Sequence, residues 1–528
     1  MSVGCQLPDQ SRSTDLKFAP LPPLPEKPND TLPAPGPIKP VRDFSIALVG
    51  EVRGEIEPCG CPTLPYGGFV RRENLLNQLR KKGTLFHFDA GELLLKGIAT
   101  LRSENRMRRA DLLRTLSHEA GVDAWAPGPT DLLALGPDGL TNLRNDAQTP
   151  PLVSATWYRR TPTGDAGEPL LPPFVVAERD GIRIGVIGLS DAPTDANQSQ
   201  SIFTKEPVQA TQQTISLMPQ DLDLYVALGN IPNSSAAAVA DLPQVDLVLT
   251  TSGGHTNEPT QSEQTGSWVI ESADRGRFVK LVQVRLGSEP GQPLLNHPEE
   301  SAWKTLETLQ TQIANREAKE SLTRPEVDDE APDRNSVIKL FESIEKGRNL
   351  IHFSTLPLAD DLDPISSDEN TENSTTQHAL TQFKSDQIAS ATQRAQAPTE
   401  PDEPTYKGSQ GCVNCHTNQF ARWSFSDHAR AWEPLIIAEE TDNPECIACH
   451  TTGFGEPGGF GEPSRSNLRK FKAVQCEACH GPMAGHPSAA NVSSAEVTES
   501  VCLACHDAAN SPNFDFTTYM PKATCLGE

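Results

Sequence analysis

Positive charge is scarce in this 528-residue chain: 45 Lys and Arg stand against 70 Asp and Glu, a formal net charge of −25. An average surface of that sign repels phosphate backbones and anionic lipid, which argues against nucleic acid as a partner. No run approaches the roughly 18 consecutive apolar residues of a membrane-spanning helix, so the chain as given holds no such segment. A secretory signal peptide is not visible either. At this length a single core does not suffice, and two or three domains are expected.

Cysteine and histidine number 12 each, and the last quarter of the chain concentrates them in four copies of Cys-x-x-Cys-His. These are Cys412, Cys415 and His416; Cys446, Cys449 and His450; Cys476, Cys479 and His480; and Cys502, Cys505 and His506. The spacing lets two thiols capture the two vinyl groups of one haem while the next imidazole reaches its iron, so each copy reads as a c-type haem attachment site. Structural zinc also uses Cys-x-x-Cys with nearby His, but it does not need His directly after the second Cys four times over. Four covalent haems with His416, His450, His480 and His506 as proximal ligands are therefore expected.

The texture changes along the chain in five steps. Residues 1–40 contain a spacer dense in proline (Pro20, Pro22, Pro23, Pro25, Pro28, Pro33, Pro35, Pro37, Pro40), which favours an extended polyproline-like form. Over 41–290, short apolar runs (44–49, 85–89, 151–157, 182–189, 222–228, 245–250) alternate with amphipathic stretches such as 69–81 and 105–120, the pattern of an α/β domain ending near Leu286. Residues 291–350 carry helical spacing at 301–322 and 336–346. Residues 351–405 lose periodicity and fill with Asp, Glu, Ser, Thr, Gln and Pro, the composition of a disordered acidic linker. The haem motifs occupy 406–528, about thirty residues per haem, so the porphyrins themselves must supply much of the buried surface.

Within that last region, Gly411-Cys-Val-Asn-Cys-His416, Trp423-Ser-Phe-Ser-Asp-His428, Cys446-Ile-Ala-Cys-His-Thr-Thr-Gly-Phe454, Val474-Gln-Cys-Glu-Ala-Cys-His-Gly-Pro482 with His486, and Asn510-Ser-Pro-Asn-Phe-Asp-Phe516 resemble the tetrahaem cytochrome c-554 type. The resemblance implies electron transfer with redox partner proteins through packed, mostly bis-histidine haems. After the proximal ligands are assigned, only His428 and His486 remain in 406–528 as distal ligands, so two irons need Met483, Met520, His352, His378 or an open position. The family usually places a His near the C-terminal end, where Pro521-Lys-Ala-Thr-Cys525 stands here. Cytochromes of this kind acquire haem outside the bacterial inner membrane. Ser-Val-Gly-Cys5 resembles the end of a lipobox, which implies a lipidated Cys5, a start placed downstream of a signal segment, and a periplasmic or cell-envelope location.

A second resemblance covers residues 44–286, to calcineurin-like metallophosphatases of the 5′-nucleotidase kind. Gly50-Glu-Val-Arg-Gly54, Gly67-Gly-Phe-Val-Arg71, Asp89-Ala-Gly-Glu92, Gly128-Pro-Thr-Asp131 and Gly253-Gly-His255 stand at its motifs. It implies a sandwich-type α/β fold but poor catalysis. Two-metal phosphoester hydrolysis needs carboxylates, an amide and imidazoles around two cations, whereas this chain has Glu51, Arg53, Glu92, Pro129, Thr130 and Asn230 at those positions. Glu51, Glu92 and His255 leave room for a lone cation. Cys59 and Cys61 add either a redox or metal pair, an iron ligand, or a disulfide, one candidate partner being Cys525.

The expected architecture is thus an α/β metallophosphatase-like sandwich followed by a mainly α-helical, loop-rich multihaem cytochrome c domain. Electron transfer with a metal-free docking or binding module is the leading function, and no catalytic residue is assigned. A bifunctional phosphoesterase and a haem reductase or oxidase of a small nitrogen or oxygen compound are the alternatives.

Overall fold

The computed structural model describes residues 41–61, 64–94, 103–193, 196–251, 258–287, 294–296, 349–358, 375–397, 405–483, 486, 497–506, 511 and 513–523. Cys5, the proline-rich spacer, His255, the expected helices over 301–346 and Cys525 lie outside these residues. In chain order the strands are β1 (Arg42–Val49), β2 (Cys59–Cys61), β3 (Leu64–Tyr66), β4 (Leu85–Asp89), β5 (Ala124–Trp125), β6 (Trp157–Arg160), β7 (Ala166–Pro169), β8 (Phe174–Arg179), β9 (Ile182–Ser190), β10 (Ile202–Thr204), β11 (Leu224–Asn230), β12 (Leu247–Thr250), β13 (Thr260–Gln261), β14 (Trp268–Glu271), β15 (Phe278–Leu286), β16 (Leu295–Asn296) and β17 (Leu350–Pro357).

Two six-stranded sheets dominate, in the orders β16-β17-β15-β1-β4-β5 and β13-β14-β12-β11-β9-β8. Strands β9, β11, β12 and β14 run parallel. Strands buried on both faces read as near-continuous apolar runs, and Ile182–Ser190 is buried at eight of nine positions. The facing surfaces of the two sheets share one core, with Ile46, Leu48, Phe86 and Phe88 from the first and Val186, Val226, Leu228 and Leu249 from the second. Helices cover the outer faces. Leu76 of α1 (Phe69–Lys82) packs with Ala47, Val49 and Leu85. Helices α2 (Ser103–Glu119) and α3 (Pro129–Leu143) enclose Trp125 and Trp157 with Leu113, Leu116 and Leu132. With α4 (Ala196–Ser201) preceding them, α5 (Pro207–Ile215) and α6 (Asn233–Ala240) bury Ala210, Ala236 and Val239 against Ile187, Ala227 and Val248. Gly188 shows how closely these layers approach: a Cβ there would lie 2.2 Å from the Val153 carbonyl oxygen.

Two sequence expectations need correction. The α/β unit does not close near residue 290, because β17 pairs with β15 from Leu350↔Arg285 to Pro357↔Phe278. The stretch 351–405 is not wholly a disordered linker either, since it contains most of β17 and α7 (Thr375–Ala395). Local composition concealed both. Strand β17 is stabilised by joining a sheet edge that buries Leu350 and Ile351, and α7 by burying Leu380, Gln387 and Ala391 at helical spacing. Burial of a side chain such as Leu380 contributes about 2 kcal/mol, which offsets the poor intrinsic preference of a Thr-, Ser- and Gln-rich helix.

Helix α7 also joins the two parts of the molecule. Its Ala379, Leu380 and Phe383 meet the α2–α3 cluster, while Ile388 packs on Trp432, Leu435, Ile447, Phe460 and Phe471. Those five are the buried members of the cluster in the motif-bearing region, where the helices are only five to eight residues long. A second bond between the parts is polar. Glu57 accepts from the Asn443 amide at 2.8 Å and pairs with Lys384 at 2.5 Å, and the fully buried Arg109 pairs with Glu445 while donating to the Gly54 carbonyl.

Candidate haem centres and the carboxylate cleft

Each motif places its two cysteines on a short helix or turn, with its histidine at the end of that element or directly after it. Asn443 caps the helix Pro444–His450 by accepting from the Glu445 N–H at 3.0 Å, with Pro444 at the first helical position where its missing N–H costs nothing. The His450 Nδ1 bonds to the Ala431 carbonyl and the His506 Nδ1 to Ser511 Oγ at 3.1 Å. A partner on Nδ1 fixes the tautomer and turns Nε2 outward for a metal.

The structure brings the two spare histidines to two of the motifs. The His416 and His486 rings lie 6.1 Å apart between centroids, and so do those of His428 and His506. Two imidazoles bound on opposite sides of one iron through nitrogen bonds of about 2 Å hold their centroids about 6 Å apart, so both pairs fit axial ligation of a haem. Burial, and behind it the nearby His506, holds the His428 imidazole below its ordinary pKa, which favours the neutral, metal-binding form. Backbone ties position it further: the His428 carbonyl accepts from the Val474 N–H at 3.1 Å, and the Val474 carbonyl accepts from Trp423 Nε1 at 2.8 Å.

The motifs also sit beside one another in pairs. Cys412 and Cys476 are hydrogen-bonded neighbours, and burial followed by Glu477 raises the Cys412 thiol above its usual pKa. Cys449 Sγ lies 4.0 Å from the Ala504 carbonyl within the fourth motif. The residue that binds the first motif to the third is Glu477. Its buried carboxylate accepts from the N–H groups of Lys407 (2.9 Å), Gly408 (2.7 Å) and Met483 (2.8 Å). Gln475 adds bonds to Ser409 (2.6 Å) and to the Lys470 and Lys472 carbonyls. Sequence reading passed over both because they occupy the variable positions around the motif cysteines. Of the other ligand candidates, His352 is buried within β17 of the first sheet and His378 is exposed at the start of α7. The structure therefore does not bring His352 into the motif-bearing region.

The second constellation lies where β1 and β4 end. Glu51, Arg53 and Glu92 all adopt left-handed backbone, with φ of 52°, 50° and 57°. Such residues cost on the order of 1 kcal/mol or more each and need a surrounding that enforces them. Here two loops are laced together by Glu51 N–H to Gly91 O (2.8 Å), Arg53 N–H to Glu92 O (2.7 Å) and Gly54 N–H to Leu93 O (2.8 Å). Gly91 is required for the crossing, since its φ is 97° and a Cβ would meet the Ala126 carbonyl oxygen at 2.3 Å.

The side chains in this cleft are engaged with one another. Arg53 Nη2 donates to Glu51 Oε1 at 2.9 Å, and Thr130 Oγ1 donates to Glu92 Oε2 at 2.5 Å. Asp131 accepts from the N–H groups of Leu93, Leu94 and Gly128 at 2.8–2.9 Å, so it shapes the loop. Asn230 donates to Thr251 Oγ1 at 2.8 Å. Among the described residues no group of three or more His, Cys, Asp or Glu side chains is placed to hold a metal ion. Strand β2 places Cys59 and Cys61 opposite Tyr66 and Leu64 of β3.

Asp89 gives the cleft a pH signature. It is fully buried, one oxygen accepts from the Gly91 N–H at 2.9 Å, the other has no hydrogen-bond partner, and burial pushes its pKa up to about 7. The native state thus holds a proton that the unfolded chain releases near the ordinary carboxylate value of 3.8. Its stabilisation is complete below that value and is lost as pH rises through about 7. Thermal unfolding of the Asp89→Asn variant at pH 5 and pH 8 should show a smaller fall in stability with pH than the parent; equal falls would show that Asp89 titrates normally.

Residues 411–481 match the family model described as cytochrome c554 and c-prime. Cytochrome c-554 of Nitrosomonas europaea is 30% identical over 92 residues, which span 15% of this chain and 38% of that protein. Among solved structures, the 5′-nucleotidase precursor from Thermus thermophilus aligns over 70% of this chain and 61% of its own at 16% identity and a TM-score of 0.44. The Haemophilus influenzae NAD nucleotidase aligns over 70% and 65% at 15% identity and 0.43, and the calcineurin-like phosphoesterase YfkN from Bacillus subtilis over 66% and 98% at 14% identity and 0.42. These similarities carry no activity to this chain. At its C-terminal end the chain is thus similar, over residues 411–481, to the cytochrome c554 and c-prime family, a similarity that supports covalently bound c-type haem.

Proposed function

We propose that the protein is an exported multihaem cytochrome that passes single electrons between redox partner proteins, with four haems on the four motifs. The observation that carries this reading is the pair of 6.1 Å imidazole separations, His416 with His486 and His428 with His506. Haem supplies a one-electron Fe(III)/Fe(II) couple, and the chain's own residues decide where it sits and what it meets. Cys412 and Cys415, Cys446 and Cys449, Cys476 and Cys479, and Cys502 and Cys505 anchor the porphyrins. His416 with His486, and His428 with His506, would each hold one iron between two imidazoles, a ligand set that would favour the low-spin state. The pairing of Cys412 with Cys476 and the approach of Cys449 to Ala504 support close packing between neighbouring centres.

In this reading the α/β unit is a metal-free docking or binding module, because Arg53 and Thr130 occupy the carboxylates of Glu51 and Glu92. Attachment at Cys5 would hold the protein at a membrane of the cell envelope, with the proline-rich spacer as its tether. Intact mass of the exported protein should show four haem additions; fewer than three contradicts the reading. Incubated with Mn²⁺, Mg²⁺ or Zn²⁺, the same protein should release no phosphate from nucleotides, and turnover abolished by Glu92→Ala would favour a bifunctional hydrolase.

A further inference from the structure

The stretch 431–464 contains seven carboxylates, Glu433, Glu439, Glu440, Asp442, Glu445, Glu456 and Glu462, and no Lys or Arg. Within it, the helix Glu433–Ile437 is two-faced. Trp432 and Leu435 are buried, whereas Ile436 is 59% and Ile437 80% exposed. Glu433 begins the same helix, and Glu439 and Asp442 follow it within five residues; all three are exposed. Exposed apolar side chains with carboxylates beside them in the chain have the composition of an interface, with an apolar centre and a polar rim. Ala431, two residues before this helix, accepts the hydrogen bond of His450 Nδ1, so the chain leading into the helix touches the imidazole of the second motif.

We propose that Glu433, Ile436, Ile437, Glu439 and Asp442 form the docking surface for a one-electron redox protein that presents Lys and Arg side chains around an apolar centre. The proposal rests on the electron-transfer reading above and names the chemistry of the partner. Charge complementarity selects that occupant. A second copy of this chain would bring like charges together, and an anionic membrane would be repelled. In the complex the haem that His450 would hold would supply one electron, and the partner's oxidised centre would be reduced by one. No bond or proton moves.

The test uses the full-length holoprotein, reduced and mixed in stopped flow with a lysine-rich ferric cytochrome c as probe, over a range of ionic strength. Electrostatic steering raises such rates by 10-fold or more at low salt and fades as the Debye length shortens. Glu433→Lys with Glu439→Lys should lower the low-salt rate constant about tenfold and remove most of its salt dependence. Glu168→Lys with Glu263→Lys, an equal charge change at exposed positions of the α/β unit, should leave it within about twofold. Ile436→Ser with Ile437→Ser should slow transfer at saturating probe while preserving the salt dependence. Equal effects of the two charge pairs would overturn the docking surface. Failure of every variant and the parent to exchange electrons with a small, unhindered oxidant would overturn the electron-transfer reading instead.

Discussion

Replacing His486 with Ala should turn one low-spin haem, that of His416, into a high-spin haem that binds carbon monoxide, and replacing His428 should do the same to that of His506. Both pairs stand at 6.1 Å between ring centroids, the span of an iron with two imidazoles. The double variant should convert two haems, because the pairs share no residue. Carbon monoxide difference spectra of the ferrous variants give the count directly. Unchanged spectra would mean that these histidines are surface residues that happen to lie near the motifs.

The second large effect is expected at the junction of the two parts. Arg109 has a side chain 2% exposed and Glu445 one 28% exposed, and the two form an ion pair. Removing Glu445 leaves a buried guanidinium without its carboxylate, and breaking such a pair costs about 3 kcal/mol. Burial already lowers the Arg109 pKa to about 10, with Glu55 and Glu57 acting against that fall. Glu445→Ala should therefore shift the denaturant midpoint of the holoprotein strongly downward, while Arg109→Met combined with Glu445→Leu should recover most of the loss. A single variant within about 0.5 kcal/mol of the parent would show that water replaces Glu445 at no cost. The Pro444–His450 helix begins at this junction, with its cap Asn443 bonded to Glu57, so the visible spectrum of the holoprotein reports whether the damage reaches the second motif.

What could be read in the sequence follows from how local each signal is. The strands around the apolar runs 44–49, 85–89, 182–189 and 222–228 were legible because most of their positions are buried, and apolar continuity survives in the sequence. The haem motifs were legible because the attachment chemistry fixes the spacing. Strand β17 and helix α7 were not, because their stability comes from partners far away in the chain, β15 for the one and α1, α2 and the Trp432 cluster for the other. Helical spacing at Leu380, Ile388 and Ala391 was present but diluted by the surrounding Thr, Ser and Gln. His428 and His486 could be named as ligands by elimination, yet which motif each one meets is a three-dimensional fact. Glu477 illustrates a further limit. A carboxylate at a variable motif position carries no pattern, and only the fold shows it holding the loops around the first and third motifs.

The central claim, that this chain builds bis-histidine haems from His416 with His486 and His428 with His506, is tested most directly by near-infrared magnetic circular dichroism of the ferric full-length protein. Ligand-to-iron charge-transfer bands in that region distinguish bis-histidine from histidine–methionine and high-spin haem. Bis-histidine intensity equivalent to at least two haems per chain is the predicted result. Spectra with no bis-histidine component, in a protein whose mass shows covalent haem, would contradict it.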